Sequence, residues 1–137
     1  MSWEFHGLDE RARKLVKKQL ASARQANLPP QETQIIIKES HKMRQTVAYG
    51  LERFWGEQLR LADREPEKAN YWRDTWNELV AILREGDVTL PQHERVNAMA
   101  DALWTISPEN QQIALSVLTQ LCDSLVWWTQ RYKSLVS

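Results

Sequence analysis

The stretch 107–137, SPENQQIALSVLTQLCDSLVWWTQRYKSLVS, decides the fold. Ala114, Leu118, Leu121, Leu125, Trp128, Tyr132 and Leu135 recur in it at alternating spacings of four and three. That is the period of one helix face; the side chains of a strand alternate every second residue. Ile113, Val117 and Trp127 form a second apolar row beside the first. A helix this broadly apolar is either central to a bundle or shared with a partner. Its start is marked by Ser107-Pro108-Glu109. The hydroxyl caps a free N–H, the proline suits the first helical position, and the acid is favoured by the helix dipole.

Four more helices can be read upstream. Leu8, Ala12, Leu15, Val16 and Ala23 make one stripe from about Leu8 to Ala26, ended by Asn27 as a left-handed cap and by Pro29-Pro30. A long second helix, from about Gln31 to Ala62, carries Ile36, Met43, Val47, Leu51, Phe54 and Leu61 inward, with a bend or break expected near Gly56. Pro66 opens a third that stops at Gly86 and buries Trp72, Trp76, Leu79, Val80 and Leu83. Thr89 and Gln92 are spaced as a capping box for a fourth, with Pro91 in its first turn and Val96, Met99, Ala100 and Leu103 facing inward. No strand alternation, internal repeat or low-complexity tract interrupts this pattern. The expected architecture is an all-α antiparallel bundle of about five helices, a single domain over 1–137, with 1–7 as a flexible or docking segment.

With 42% apolar and 26% charged residues, the composition is that of a globular chain of one domain's length. The single cysteine, Cys122, sits in an apolar run and is read as a buried small hydrophobe, in keeping with a reducing cytoplasm. Residues 1–7 do not resemble a secretory signal, and no apolar run approaches the ~18 residues that span a bilayer.

Catalysis finds little support. His6, His41 and His93 share no ligand spacing, and Cys122 has no companion, so neither a metal site nor a thiol–imidazole pair is indicated. Glu32 with Glu39, and Asp74 with Glu78, read as solvated helix faces rather than paired catalytic carboxylates. Gly-rich phosphate loops are absent. The chain is read as non-enzymatic, with no cofactor.

The formal charge of zero hides an asymmetry. Residues 1–60 hold eleven basic against seven acidic side chains, and residues 61–102 hold five against nine. This allows an anionic partner on one face, or head-to-tail self-association; a solvated surface with uneven salt bridges is the plainer alternative. Arg13, Lys14, Lys17 and Lys18 fall on the outer face of the first helix. Lys38, Lys42, Arg53 and Arg60 line the back of the second, with Tyr49 among them. Cations along a rigid rod match a phosphate backbone, and Tyr49 is placed to stack on an unpaired base. Glu39, Glu52 and Glu57 dilute that field.

Seven tryptophans are more than so small a core needs. Trp72, Trp76 and Trp128 lie on core stripes, and Trp104, at a helix end, is read as a cap on the core. Trp3, Trp55 and Trp127 remain as candidates for a protein interface.

Gln45-Thr46-Val47-Ala48-Tyr49, behind Ile35 to Ile37, resembles a segment of the small helical subunit of type III CRISPR effector complexes. The closing helix resembles that family's as well, in Leu118-Thr119, Leu125, Trp127-Trp128 and Arg131-Tyr132. The resemblance covers about thirty residues. It implies a non-catalytic subunit that stacks beside a guide RNA among other protein subunits, its basic face on the backbone of the guide–target duplex. Two other readings stand beside it: a protein-only adaptor, regulator or phage- or plasmid-borne inhibitor, and a homodimeric bundle closed by the fifth helix.

Overall fold

The long apolar period between residues 31 and 62 does not fold as one rod. The computed structural model describes residues 5–136, with side chains from residue 7 onward. These residues contain α1 (Phe5–Gln25), α2 (Pro30–Ile37), α3 (Glu39–Thr46), α4 (Leu51–Leu61), α5 (Pro66–Glu85), α6 (Val96–Trp104) and α7 (Pro108–Tyr132). No strand occurs among them. The chain is an all-α bundle, and the two helices beyond the expected five come from division of the second.

The first division is a bend at Lys38. In a continuous helix the Ile37 carbonyl would accept from the N–H of His41; here that N–H bonds to Lys38 O at 3.1 Å. The Ile37 carbonyl accepts instead from the Thr129 hydroxyl of α7, at 3.1 Å. Thr129 Oγ1 also lies 2.8 Å from the Leu125 carbonyl and 2.8 Å from Ser40 Oγ. A hydroxyl has one proton, so while Thr129 donates to the carbonyls, Ser40 donates to Thr129. Ser40 and Thr129 are fully buried. The bend in one helix is thereby satisfied by a side chain of another.

The second division is a reversal. A 3₁₀ turn over Val47–Tyr49 ends at Gly50, whose φ of 97° and ψ of 174° lie in a region essentially reserved for glycine. Gly56, where the break was expected, is an ordinary helical residue of α4. The period alone could not distinguish the two glycines, because only backbone angle separates them.

Pairwise contacts give the helix directions. Glu39 meets Trp72 and Met43 meets Thr75, so α3 and α5 advance together. Gln34 reaches the carbonyls of Lys133 and Val136, and Arg44 reaches Asp123, so α2 and α3 run against α7. Asp9 meets Trp128 and Arg13 meets Tyr132, which sets α1 parallel to α7. The long elements therefore alternate in direction along the chain, and the first and last lie side by side.

All inward positions expected of the first three sequence helices are buried. Phe54 packs on Trp72 with ring centroids 4.8 Å apart and on Trp76 at 6.5 Å, joining α4 to α5. Such pairs contribute about 0.5–1.5 kcal/mol each beyond area burial. Toward the ends of the later helices the expected stripes fail. Val96 is 51% exposed, Leu135 lies exposed beyond α7, and Trp128, Tyr132 and Ala100 are half-buried.

Four of the expected boundaries hold, among them the stop of α5 at Gly86. Asn27 is left-handed at φ 56°, and Leu28 N–H returns to the Ala23 carbonyl at 3.0 Å. Pro66 occupies the first turn of α5, and Ser107 caps α7 by accepting from Asn110 N–H at 3.2 Å. The Thr89–Gln92 capping box does not form. Leu90, restricted to extended backbone by Pro91, is buried in the core with Val88, and α6 starts only at Val96. In the amino-terminal segment, Phe5–Gly7 already belong to α1, and residues 1–4 lie outside the described ones.

Gly50→Ala is expected to lower stability by about 1–3 kcal/mol through backbone strain alone, since an added Cβ meets nothing within 4 Å. Gly56→Ala should raise it by up to about 1 kcal/mol. Chemical denaturation of the two variants checks the contrast, and equal effects would remove the special role of Gly50. Thr129→Val keeps the shape and strands the Ile37 carbonyl and Ser40 hydroxyl. Its expected cost, by the same measurement, is about 1–3 kcal/mol.

Candidate nucleic-acid interface

Helix α1 lies against α5, and their charges interlock. Arg11 binds Glu78 at 2.9 Å and also pairs with Glu85; Lys18 pairs with Asp74 at 3.2 Å. Gln19, buried beside them, donates to the same Asp74. The expected solvated acids Asp74 and Glu78 are thus tied to the basic helix. Part of the asymmetry between the two halves of the chain is neutralised inside one molecule.

The eight cations singled out in the sequence separate into two groups. Arg13 is committed internally: it bonds Glu10 twice at 3.2 Å, donates to the Tyr132 hydroxyl at 3.2 Å, and lies 5.9 Å from the Trp128 ring centroid. It helps dock α1 on α7, and its guanidinium is not turned out toward a phosphate. Lys18 is held by Asp74. Arg60 forms a two-pronged bond to Glu57, both contacts 2.8 Å. Lys42 lies 3.8 Å from Glu39, as does Lys68, which also binds Glu65 at 2.7 Å. These residues form a mixed-charge cluster where α3, α4 and α5 meet.

Glu39 is the centre of that cluster. Instead of diluting a surface field, it is buried, and it accepts from the Trp72 indole N–H at 3.0 Å. Lys14, Lys17, Lys38 and Arg53 are the other group. All are exposed, and none has an ion pair among the described residues.

Arg53 lies 5.3 Å from the ring centroid of Tyr49, which is 70% exposed. The Gly50 reversal puts Tyr49 at the rim of a recess of about 130 Å³ between the start of α4, the end of α6 and the first turns of α7. On the α6 side the recess is lined by Trp104, which at 79% is the most exposed of the large apolar side chains among the described residues. Trp104 was expected to cap the core. It follows the buried Leu103 at a corner where no further element among the described residues covers it, and that corner has no sequence signal.

The interface tryptophans are reassigned accordingly. Trp55 is only 6% exposed and belongs to the core, where the breadth of the α4 apolar face carries it inward. Trp127 is 52% exposed, with the Arg131 guanidinium 4.7 Å from its ring centroid. Trp3 lies outside the described residues.

Among the described residues no three His, Cys, Asp or Glu side chains gather as metal ligands would. Cys122 is fully buried, and burial above all holds its thiol in the protonated form. Burial likewise raises the Tyr71 phenol, whose hydroxyl is enclosed near Thr129 without a well-formed hydrogen bond. No helix among the described residues is long and apolar enough to cross a membrane. Comparisons of the chain with protein-family models, with curated proteins and with solved structures find no match.

A buried, protonated thiol resists alkylation. Native protein should leave Cys122 unmodified by iodoacetamide at neutral pH, with full labelling only in denaturant. Rapid native labelling, read by intact mass, would show that α7 opens.

Proposed function

We propose that this chain is a non-catalytic helical subunit of a ribonucleoprotein assembly. Its exposed cations contact RNA backbone, and its exposed Trp127 contacts a neighbouring protein subunit. The observation that carries the reading is the segregation of charge. Cations near acids are spent on ion pairs within or between helices, whereas Lys14, Lys17, Lys38 and Arg53 have no such partner among the described residues, and Arg53 stacks on an exposed tyrosine. Contacts of this kind bind phosphate without reading sequence. The resemblance of Gln45–Tyr49 and of the closing helix to the small subunit of type III CRISPR effectors points the same way. It suggests a guide–target duplex as the nucleic acid and a cytoplasmic setting.

Exposed Trp127, stacked by Arg131, favours a second reading: a protein-only adaptor, using that face as its contact. A complex whose partners stay bound after nuclease treatment would support it over the first.

Charge reversal of Lys14, Lys17, Lys38 and Arg53 together should weaken binding of both duplex and single-stranded RNA by tenfold or more. It should also lower the slope of log affinity against log salt by about 3, at ~0.7 for each phosphate no longer neutralised. Reversal of Lys42, already beside Glu39, should do much less. Fluorescence anisotropy across a salt series measures both; absence of RNA affinity at low salt, alone and in the assembly, would end the proposal.

A further inference from the structure

The recess beside Tyr49 has a chemistry of its own. Its volume, about 130 Å³, is close to that of an engineered ~150 Å³ protein cavity that takes up benzene, so one six-membered ring fits. Tyr49 and Trp104 supply the exposed aromatic surface at its edge, and Leu51, Leu103 and Leu115 supply apolar walls. Two polar side chains complete the lining, Glu52 and Gln111. The Gln111 amide donates one Nε2–H to the Ile106 carbonyl at 3.1 Å, which leaves its oxygen to accept and one N–H to donate. Glu52, half-buried and without an ion pair among the described residues, is acceptor-only when ionised. With the Glu52 carboxylate and the Gln111 oxygen, acceptor sites outnumber donors in the polar lining, which favours a flat ring that donates.

Charge narrows the class further. A carboxylate between aromatic side chains also suits an alkylammonium ion. Arg53, one residue from Glu52 and stacked on Tyr49, opposes a second cation at the rim and favours a group that carries phosphate. A base attached to its backbone satisfies both demands, with ring in the recess and phosphate at the guanidinium.

We propose that this recess binds one unpaired nucleobase of single-stranded RNA, and that it prefers cytosine to uracil. The proposal rests on the RNA-binding reading above and adds a site to it. Tyr49 and Trp104 stack on the ring, and Glu52 and the Gln111 carbonyl accept from the exocyclic amino group. Cytosine N4 is a donor, whereas uracil presents a carbonyl there and would face acceptor against acceptor. Stacking on aromatic side chains demands that the base be out of a duplex.

Anisotropy with labelled oligocytidylate, oligouridylate and duplex RNA tests the site on the full chain. Oligocytidylate should bind about tenfold or more tightly than oligouridylate. Trp104→Ala should remove most of that difference without changing the salt slope, and Trp104→Phe should retain it. Because Trp104 is so exposed, helicity by circular dichroism should be unchanged in both variants. Cytidine monophosphate should quench wild-type tryptophan emission and leave that of Trp104→Leu unaffected. If both tracts bind equally, or if Trp104→Ala matches wild type while reversal of the free cations weakens binding, the base site falls and backbone binding stands. If no RNA binds at low salt and cytidine monophosphate quenches nothing, both fall.

Discussion

At Gly50 the backbone takes φ 97° and ψ 174°, and the direction of everything after it depends on that angle. Upstream, α3 runs alongside α5; downstream, α4 returns so that Phe54 meets the same Trp72 whose indole binds Glu39. Without the reversal, residues 39–62 would form a rod of about 36 Å at 1.5 Å per residue, longer than a small domain is wide. Half of its apolar stripe would have no core to enter. The reversal folds that stripe onto both sides of Trp72, and it leaves Tyr49 and Arg53 at the surface beside Trp104. Fold and candidate site share one cause.

A second constraint is the neutralisation of charge between helices. Individual exposed pairs such as Arg44–Asp123 contribute little, with measured values for such pairs at roughly 0–1 kcal/mol. Their greater effect here is on register: Arg11 and Lys18 meet acids spaced along α5 in only one alignment of the two helices. The same pairing restricts function. Two helix faces with eight cations in the sequence keep four that have no acidic partner among the described residues, and those four lie on α1, at the α2–α3 junction and on α4.

The buried polar groups follow the geometry of the bend at Lys38. Ser40, Thr129 and the Ile37 carbonyl satisfy one another because α2 and α3 are not collinear. An apolar core alone would tolerate several rotations of α7. A hydroxyl that must reach a specific carbonyl tolerates one.

Helix type, inward face and most boundaries were legible in the residues, since a period of 3.6, a proline at a first turn and a serine cap act through neighbours in the chain. Leu8 to Ala23, Ile36 to Leu61 and Trp72 to Leu83 all faced the core as their spacing required. The candidate site was legible only in part. Tyr49 and the unpaired lysines could be singled out as residue types, and Lys42 and Arg60 pair with acids only three residues before them, but the docking of Arg13 on Tyr132 and the burial of Trp55 depended on groups distant in sequence. Trp104 was misread because the space around a corner belongs to elements that meet there. Local sequence thus determined what each segment would become and which side it would bury. Which charges remain free, where the chain turns back and what stands beside Tyr49 were decided by tertiary packing, because each depends on groups that only the folded chain brings within a few ångströms.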